Sequence, residues 1–425
     1  MIDIKLIREN PELVKEGIKN KNDKSDIDEI LKLDTLRREK LQLVEELKAK
    51  RNTASQQIGK LKKAGESTDA IMAEMKQVSD EIKKLDDEVR EVNEKFKTLI
   101  SWVPNLPDKT TPVGKNADDN VEVRKWQPED FNFEDNFKKL DHIELGKKLG
   151  ILDFERGAKI SGSGFPVYVG KGATLERALI NFMLDYHLNN HGYSEVFPPF
   201  LVNSDSMFGT GQLPKMQDDM YHAEKDELYL VPTAEVPITN LHRNEILKEE
   251  QLPVKYVAYS ACFRREAGSY GKESKGFLRV HQFNKVEMVK LVKPETSYDE
   301  LEKIVSDAED ILKELKIPYR VLLLCSGDLS FAAAKCYDIE TWSPAENKWL
   351  EASSCSNFED FQARRANIKF RKKDEKKPIF LHTLNGSGLA TSRLMVSILE
   401  NYQTPEGKII VPKVLQKYTG FNMIG

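Results

Sequence analysis

Cysteine is scarce. The chain has four, Cys262, Cys325, Cys336 and Cys355, in 425 residues, and none stands in CxxC spacing. That pattern excludes a zinc ribbon and a disulfide framework, and it fits a reducing compartment. No apolar run is long enough to span a bilayer, and the opening Met1-Ile-Asp-Ile-Lys-Leu-Ile-Arg-Glu9 lacks a signal-peptide layout, so the cytoplasm is expected, without membrane contact. Strong net charge is missing too. At −4 there is no global basic field for nucleic acid, although a local basic stripe can still bind RNA. The usual phosphate and nucleophile signatures are also absent: no GxxxxGK[ST], no GxGxxG, no HExxH and no GxSxG. A nucleotide would therefore be held by side chains on a sheet and not by a glycine cradle. There is no internal repeat and no low-complexity tract.

What is present is charge and periodicity. Hydrophobic residues make up 40% and charged residues 32%, so a globular body must share the chain with a charge-rich, solvated part. Residues 1–28 predict one short helix opening at Asn10-Pro11, then a polar link. From about Ile30 a long helical region follows. In its second half Ile71, Val78, Leu85, Val92 and Leu99 alternate with Met75, Ile82, Val89 and Phe96 at spacings of four and three, a coiled-coil seam. The first half has a weaker copy, Leu33, Val44, Leu47, Ala54, Ile58 and Leu61, interrupted by Lys40 and Arg51. Gly65 predicts a helix stop and Ser67 an N-cap, so two long helices should run antiparallel. The first carries a basic edge including Lys48, Lys50, Arg51, Lys60, Lys62 and Lys63; the second is acidic. Such an edge suits either interhelical pairing or a phosphate backbone.

Pro104, Pro107 and Pro112 end the helical pattern, which places a boundary at 1–105 and 106–425. Beyond it helices are expected at 141–149, 175–191, 297–315 and 388–402. Strands are expected at 228–231, 319–324, 337–342 and 349–353, and the Pro198-Pro199 pair assigns the 193–202 segment to a sheet edge or an interface. This order predicts an α+β fold with an antiparallel sheet flanked by helices. The stretch 256–291 reads as a long hairpin around a Ser/Gly/Lys tip. Its alternation puts Arg279, His281, Phe283, Lys285 and Glu287 on one face, and Arg264 and Glu266 together on the incoming strand. Charges arranged so suit either a charged ligand or cross-strand ion pairs on an exposed face. Thr233-Ala-Glu235 could hold an ammonium or be a capped turn. Glu351-Ala-Ser-Ser354 could serve a hard cation or end a strand. The segment 382–393 reads as a strand, a small-residue turn and a helix start bearing Arg393, which is either a surface salt bridge or an anion ligand.

These pieces together resemble the bacterial-type seryl-tRNA synthetases of class II. The resemblance rests on Gly209-Thr-Gly-Gln-Leu-Pro-Lys215, Val231-Pro-Thr-Ala-Glu235, Cys262-Phe-Arg-Arg-Glu-Ala-Gly268, Arg279-Val-His-Gln-Phe-Asn-Lys-Val-Glu287, Ser354-Cys-Ser-Asn-Phe-Glu-Asp-Phe-Gln-Ala-Arg-Arg365 and Leu384-Asn-Gly-Ser-Gly-Leu-Ala390. The class I signatures HIGH and KMSKS are missing. Arg265 stands where the family often has a small residue, and Ser392 where Pro often precedes the arginine. The resemblance implies a tRNA-binding helical arm before a class II catalytic domain, acting as a homodimer. It implies that serine is activated with ATP and Mg2+, without zinc, and passed to tRNA(Ser), with tRNA(Sec) as a further acceptor where the host has one. Implied ATP contacts are Arg264, Arg265, Glu266, Phe283, Glu351, Ala352, Ser353, Ser354 and Arg393. Arg264 and Arg393 are the catalytic pair, and Glu351 and Ser354 the Mg2+ ligands. Implied serine contacts are Thr233, Ala234, Glu235, Arg264, Glu287, Asn385 and Ser387. The basic edge of the arm and the hairpin tip would meet tRNA. A class II paralogue serving a non-tRNA acceptor is the alternative; such paralogues tend to lack the arm, which this chain keeps. A non-catalytic scaffold would be expected to lose Arg264, Glu287, Glu351 or Arg393, and all four are present.

Overall fold

The computed structural model describes residues 1–133, 137–267 and 276–425. The chain divides into two compact units, residues 1–19 with 23–104, and residues 20–22 with 105–425.

In the first unit α1 (Ile4–Glu9) and α2 (Pro11–Asn20) precede two long helices, α3 (Ile27–Ala64) and α4 (Asp69–Ser101). The single expected N-terminal helix is thus two. Pro11, with no N–H to lose at a first helical position, opens the second. Asp26 caps α3 by accepting from Glu29 N at 3.0 Å. Gly65 ends it in the left-handed region at φ 74°, which a residue without Cβ adopts freely. The cap of α4 is Thr68 and not Ser67; Ser67 Oγ lies one residue earlier and accepts from Asp69 N at 3.4 Å. The seam is as the heptads require: Met75, Val78, Ile82, Val89, Val92 and Phe96 are buried on α4, and Leu33, Val44 and Ala54 on α3. Lys40, which breaks the pattern, reaches Glu88 on α4 at 2.5 Å. Lys48 pairs with Asp86 and Lys50 with Glu74, so part of the basic edge is spent within the hairpin.

The second unit is built on one eight-stranded sheet. Its strands are β1 (Val121–Trp126), β2 (Ser194–Glu195), β3 (Val254–Phe263), β4 (Gln282–Val292), β5 (Tyr319–Leu323), β6 (Lys335–Ser343), β7 (Lys348–Asn357) and β8 (His382–Ala390). They lie in the order β1-β5-β6-β7-β8-β4-β3-β2, antiparallel throughout except for β2 against β3. The Pro198-Pro199 segment follows the edge strand β2, since proline cannot donate to a further ladder. Helices α5 (Lys171–Asn190), α6 (Ser297–Glu314) and α8 (Thr391–Asn401) bury Leu175, Leu179, Ile304, Ile311, Leu394 and Ile398 in one core with Val286 and Met288 of β4. A short helix, α7 (Phe361–Ala366), lies between β7 and β8.

Two differences from expectation bear on the site. The small-residue turn expected within 382–393 is not formed: β8 runs straight through to Ala390, and α8 begins at Thr391 and not at Gly388. The glycines serve close packing. A Cβ on Gly386 would stand 2.2 Å from Ile304 Cγ2 of α6. The hairpin is also less regular than its alternation suggests. β3 ends at Phe263 and β4 starts at Gln282, so Arg279 and His281 precede the strand. Arg264 N still bonds His281 O at 3.0 Å, which keeps the two arms together. The hairpin tip, residues 268–275, lies outside the described residues.

Candidate active site

The face of the sheet away from the helical core forms the floor of a cavity of about 710 Å3. That size suits a small-molecule site. Side chains of β4, β7 and β8 rise from the floor because alternate residues of a strand leave the same face. Phe283 and Lys285 come from β4 and Asn385 and Ser387 from β8; Glu351 and Ser354 come from β7, where a bulge at Ala352 breaks the alternation and lets residues three apart share the face. Segment 232–235, the loop 210–212, Arg264, Glu266 and Arg279 complete the lining. Of the residues expected here, Thr233, Glu235, Arg264, Glu266, Phe283, Glu351, Ala352, Ser353, Ser354, Asn385, Ser387 and Arg393 all line this one cavity. Glu287 lies just beneath it with no exposed surface. Ala234 is buried against Ile238, Ala258 and Val289. Arg265 points to solvent, and its backbone N–H donates to Asp219 O at 2.9 Å.

At one end the cavity is a buried polar corner. Thr233 Oγ1 donates to Glu287 Oε2 at 3.1 Å, and Asn385 Nδ2 donates to Glu287 Oε1 at 3.1 Å. The other amide atom of Asn385, Oδ1, is buried with no hydrogen-bond partner. Lys285 Nζ donates to Thr233 Oγ1 at 2.9 Å and forms a close ion pair with Glu287. Glu235 sits beside this group, its Oε1 accepting from Gln362 Nε2 at 2.6 Å. Burial, and then the neighbouring Glu287, push the Glu235 carboxyl up to about 7; the Gln362 bond, Lys285 and Arg264 act against the rise. Gln362 also donates to Thr210 O at 3.1 Å and accepts from Thr383 Oγ1 at 2.7 Å. A carboxylate, a hydroxyl and an unpaired amide oxygen gathered out of water are equipped to take a small ligand bearing both an amine and a hydroxyl.

Next to this corner the lining is cationic and aromatic. The Arg264 guanidinium lies over the Phe283 ring, 5.3 Å from its centre, and Nε donates to Pro232 O at 3.4 Å. Glu266 adopts φ 52° and is ion-paired to Arg279 Nε at 3.0 Å. Arg393 is the third residue of α8. Burial holds its guanidinium below the ordinary range, while Glu351 across the cavity works the other way. One guanidinium over a flat ring and a second lining the same cavity fit a nucleotide with phosphates attached.

Glu351 faces the cavity, and Ser354 Oγ, 3.1 Å from Cys336 Sγ, stands beside it. Asp338 of β6 pairs opposite Ser354; burial first, then Glu351, raise its carboxyl well above the usual carboxylate range. One carboxylate and one hydroxyl are hard oxygen donors. That set fits Mg2+, which keeps most of its ligands as water and phosphate oxygen. Among the described residues no group of three or more His, Cys, Asp or Glu side chains could hold a metal ion.

Several contributors are not in the set that the sequence motifs nominate. Arg365 is buried against Phe208, with its guanidinium 3.9 Å from the ring centre. It donates to Phe208 O at 2.7 Å and Leu213 O at 2.6 Å, which fixes the loop carrying Thr210 to Gln212. Glu176 of α5 accepts from Asn284 Nδ2 at 2.8 Å and Thr391 Oγ1 at 2.5 Å, tying the start of α8 to β4. Burial lifts the Glu176 carboxyl to about 7. Gln362 lies 127 residues from Glu235, and Glu176 lies 215 from Thr391, so no local spacing signals either pairing. Lys285 does have a local signal, two residues before Glu287 on one face of one strand.

The chain matches known proteins over its whole length. Residues 1–107 match the seryl-tRNA synthetase N-terminal domain, and residues 217–402 match the class II tRNA synthetase core domain shared by the G, H, P, S and T enzymes. A serine–tRNA ligase of Chloroherpeton thalassium is 63% identical over 430 residues, covering all of both chains. One of Chlorobium phaeobacteroides is 59% identical, again over all of both. Among solved structures, a seryl-tRNA synthetase from Pyrococcus horikoshii complexed with ATP is 43% identical with a TM-score of 0.93, covering 100% of this chain and 99% of that one. A cytoplasmic serine–tRNA ligase from Naegleria fowleri in complex with AMP is 30% identical with a TM-score of 0.87, covering 100% and 98%.

Proposed function

The chain belongs to the seryl-tRNA synthetase family, and on that premise we propose that its cavity joins serine to ATP while its helical arm serves the tRNA. The activity is that of a serine–tRNA ligase. In the first half-reaction a serine carboxylate oxygen bonds to the α-phosphorus of ATP, the bond to the β-phosphate oxygen breaks, and pyrophosphate leaves. The nucleophile belongs to the substrate, so the protein needs no activated side chain. It must align the two reactants and stabilise negative charge at phosphorus. Arg264 serves the carboxylate and α-phosphate, Arg393 the far phosphate, and Phe283 with Glu266 the adenine. Thr233 and Glu287, with Glu235 beside them, take the serine ammonium, and Ser387 with Asn385 reads the hydroxyl. Glu351 and Ser354 would hold Mg2+, which supplies further positive charge to the phosphates.

One observation carries the reading: the buried corner of Thr233, Glu287 and Asn385 opens into the same cavity as Arg264 and Arg393. An alanine there would leave polar groups unpaired, a penalty of a few kcal/mol, about a hundredfold in discrimination. In the second half-reaction the seryl group passes to the terminal ribose of tRNA(Ser), or of tRNA(Sec) where one exists. The arm, through Lys48, Lys50, Arg51, Lys60, Lys62 and Lys63, meets tRNA phosphates. The hairpin tip at 268–275, also assigned to tRNA, lies outside the described residues. Two copies pair beside the sheet edge after β2, where Phe197 is 75% exposed.

Charging of total tRNA with each amino acid in turn tests the reading; serine alone should be accepted. Deleting residues 30–100 should spare serine-dependent ATP–pyrophosphate exchange and cripple charging. Equal loss of both activities would refute the division of labour.

A further inference from the structure

The acceptors given above to serine's ammonium already hold an ammonium. Lys285 and Glu287 are two residues apart on β4, so both side chains leave the same face. Lys285 Nζ donates to Thr233 Oγ1 at 2.9 Å and is ion-paired with Glu287 Oε2, the same oxygen that Thr233 reaches. The Lys285 side chain is 7% exposed and that of Glu287 0%. A carboxylate sealed from water needs a counter-charge, and here a side chain of the protein supplies it. Lys285 nevertheless lines the open cavity and is not locked in the core.

We propose that Lys285 is an internal stand-in for the substrate amine. It neutralises Glu287 while the site is empty, yields Thr233 and Glu287 when serine's ammonium arrives, and then turns to serine's carboxylate and the adjoining α-phosphate. The proposal rests on the assignment of Thr233 and Glu287 to serine. The charge count supports the exchange. The pair in the empty corner is one cation, Lys285, and one anion, Glu287, with the Glu235 carboxyl beside them; serine adds one of each charge. If Lys285 stayed, two ammonium groups would share one carboxylate while serine's own carboxylate and the α-phosphate were left to Arg264 alone. After the exchange each anion faces a cation, and Lys285 joins Arg264 as a second positive group at the reacting carboxylate. An acid without an amine cannot displace Lys285, so the device also selects for amino acids.

The exchange predicts opposite effects on binding and chemistry from one substitution. In K285M the competitor is gone, so serine alone should bind about tenfold tighter by calorimetry. Serine-dependent ATP–pyrophosphate exchange should fall at least a hundredfold in kcat, with the KM for ATP within about threefold. A residue of purely structural value would weaken binding and rate together, and that result, or serine affinity and kcat both as in the unaltered chain, overturns the proposal. If K285M does not fold, K285R decides. A guanidinium grips the carboxylate as a fork and is harder to displace, so the KM for serine should rise at least tenfold; an unchanged KM overturns the proposal. E287Q separates the two readings. If it binds serine normally, the assignment of Glu287 itself fails; if it loses serine while K285M changes nothing, only the stand-in falls.

Discussion

Lys48 and Asp86 pair at 3.0 Å across the helical arm with 42% and 48% of their side chains exposed, whereas Lys285 and Glu287 pair on one strand with 7% and 0%. Both are Lys–acid pairs from one chain, yet their surroundings give them different work. On the arm, water screens the pair and each partner keeps most of its hydration, so the pair adds little and the surface stays free to exchange partners. On the sheet, neither partner can leave without a replacement. A long polyanion suits the first setting, and a small zwitterion that brings its own two charges suits the second.

The contrast can be broken or sharpened by measurement. Glu287→Ala strands the Lys285 ammonium and should cost roughly 3–5 kcal/mol in denaturant unfolding, with loss of exchange; a cost below about 1 kcal/mol would mean that the corner is wetter than its burial implies. Arg264→Ala should lower exchange by roughly 10^2–10^3, a barrier rise of about 3–4 kcal/mol, with unfolding nearly unchanged. Near-normal exchange would remove Arg264 from the chemistry. Glu235→Gln tests the charge state of the corner. Burial raises the folded carboxyl from its ordinary 4.5 to about 7, which favours the neutral form, and the resulting stabilisation is complete below about 4.5 and lost as pH rises through about 7. The unaltered chain should therefore lose roughly 3 kcal/mol relative to the Gln variant between pH 4.5 and 8, and parallel stability curves would contradict the shift. At the small end, a double-mutant cycle of Lys48→Ala and Asp86→Ala should give a coupling of about 0.5 kcal/mol or less at physiological salt. A larger value would erase the distinction between the two regions.

The arm was the more legible half. A seam of four- and three-residue steps depends only on helix periodicity, and Val78, Ile82 and Val89 are buried as their register demands. The end of α3 at Gly65 was legible for a similarly local reason. On the sheet, alternation correctly put Phe283, Lys285 and Glu287 on one face but said nothing of what would face them. Thr233 lies 54 residues from Glu287, and Asn385 lies 98 away. Such pairings are set by strand order, which hydrophobic pattern does not encode; they became readable only through motif resemblance. The turn expected within 382–393 is strand instead, because small residues signal a turn and close packing alike, and only the neighbouring helix decides between them.

Gly386 carries that decision further. It stands between Asn385 and Ser387, pressed from behind by Ile304 of α6, with no room for even a methyl group. Depth on the open side of the sheet is thus governed from its hidden side. Heat-sensitive growth in an organism dependent on this chain should trace to that rear helix as readily as to any group that meets a substrate, because a slightly bulkier neighbour there would lift the whole floor.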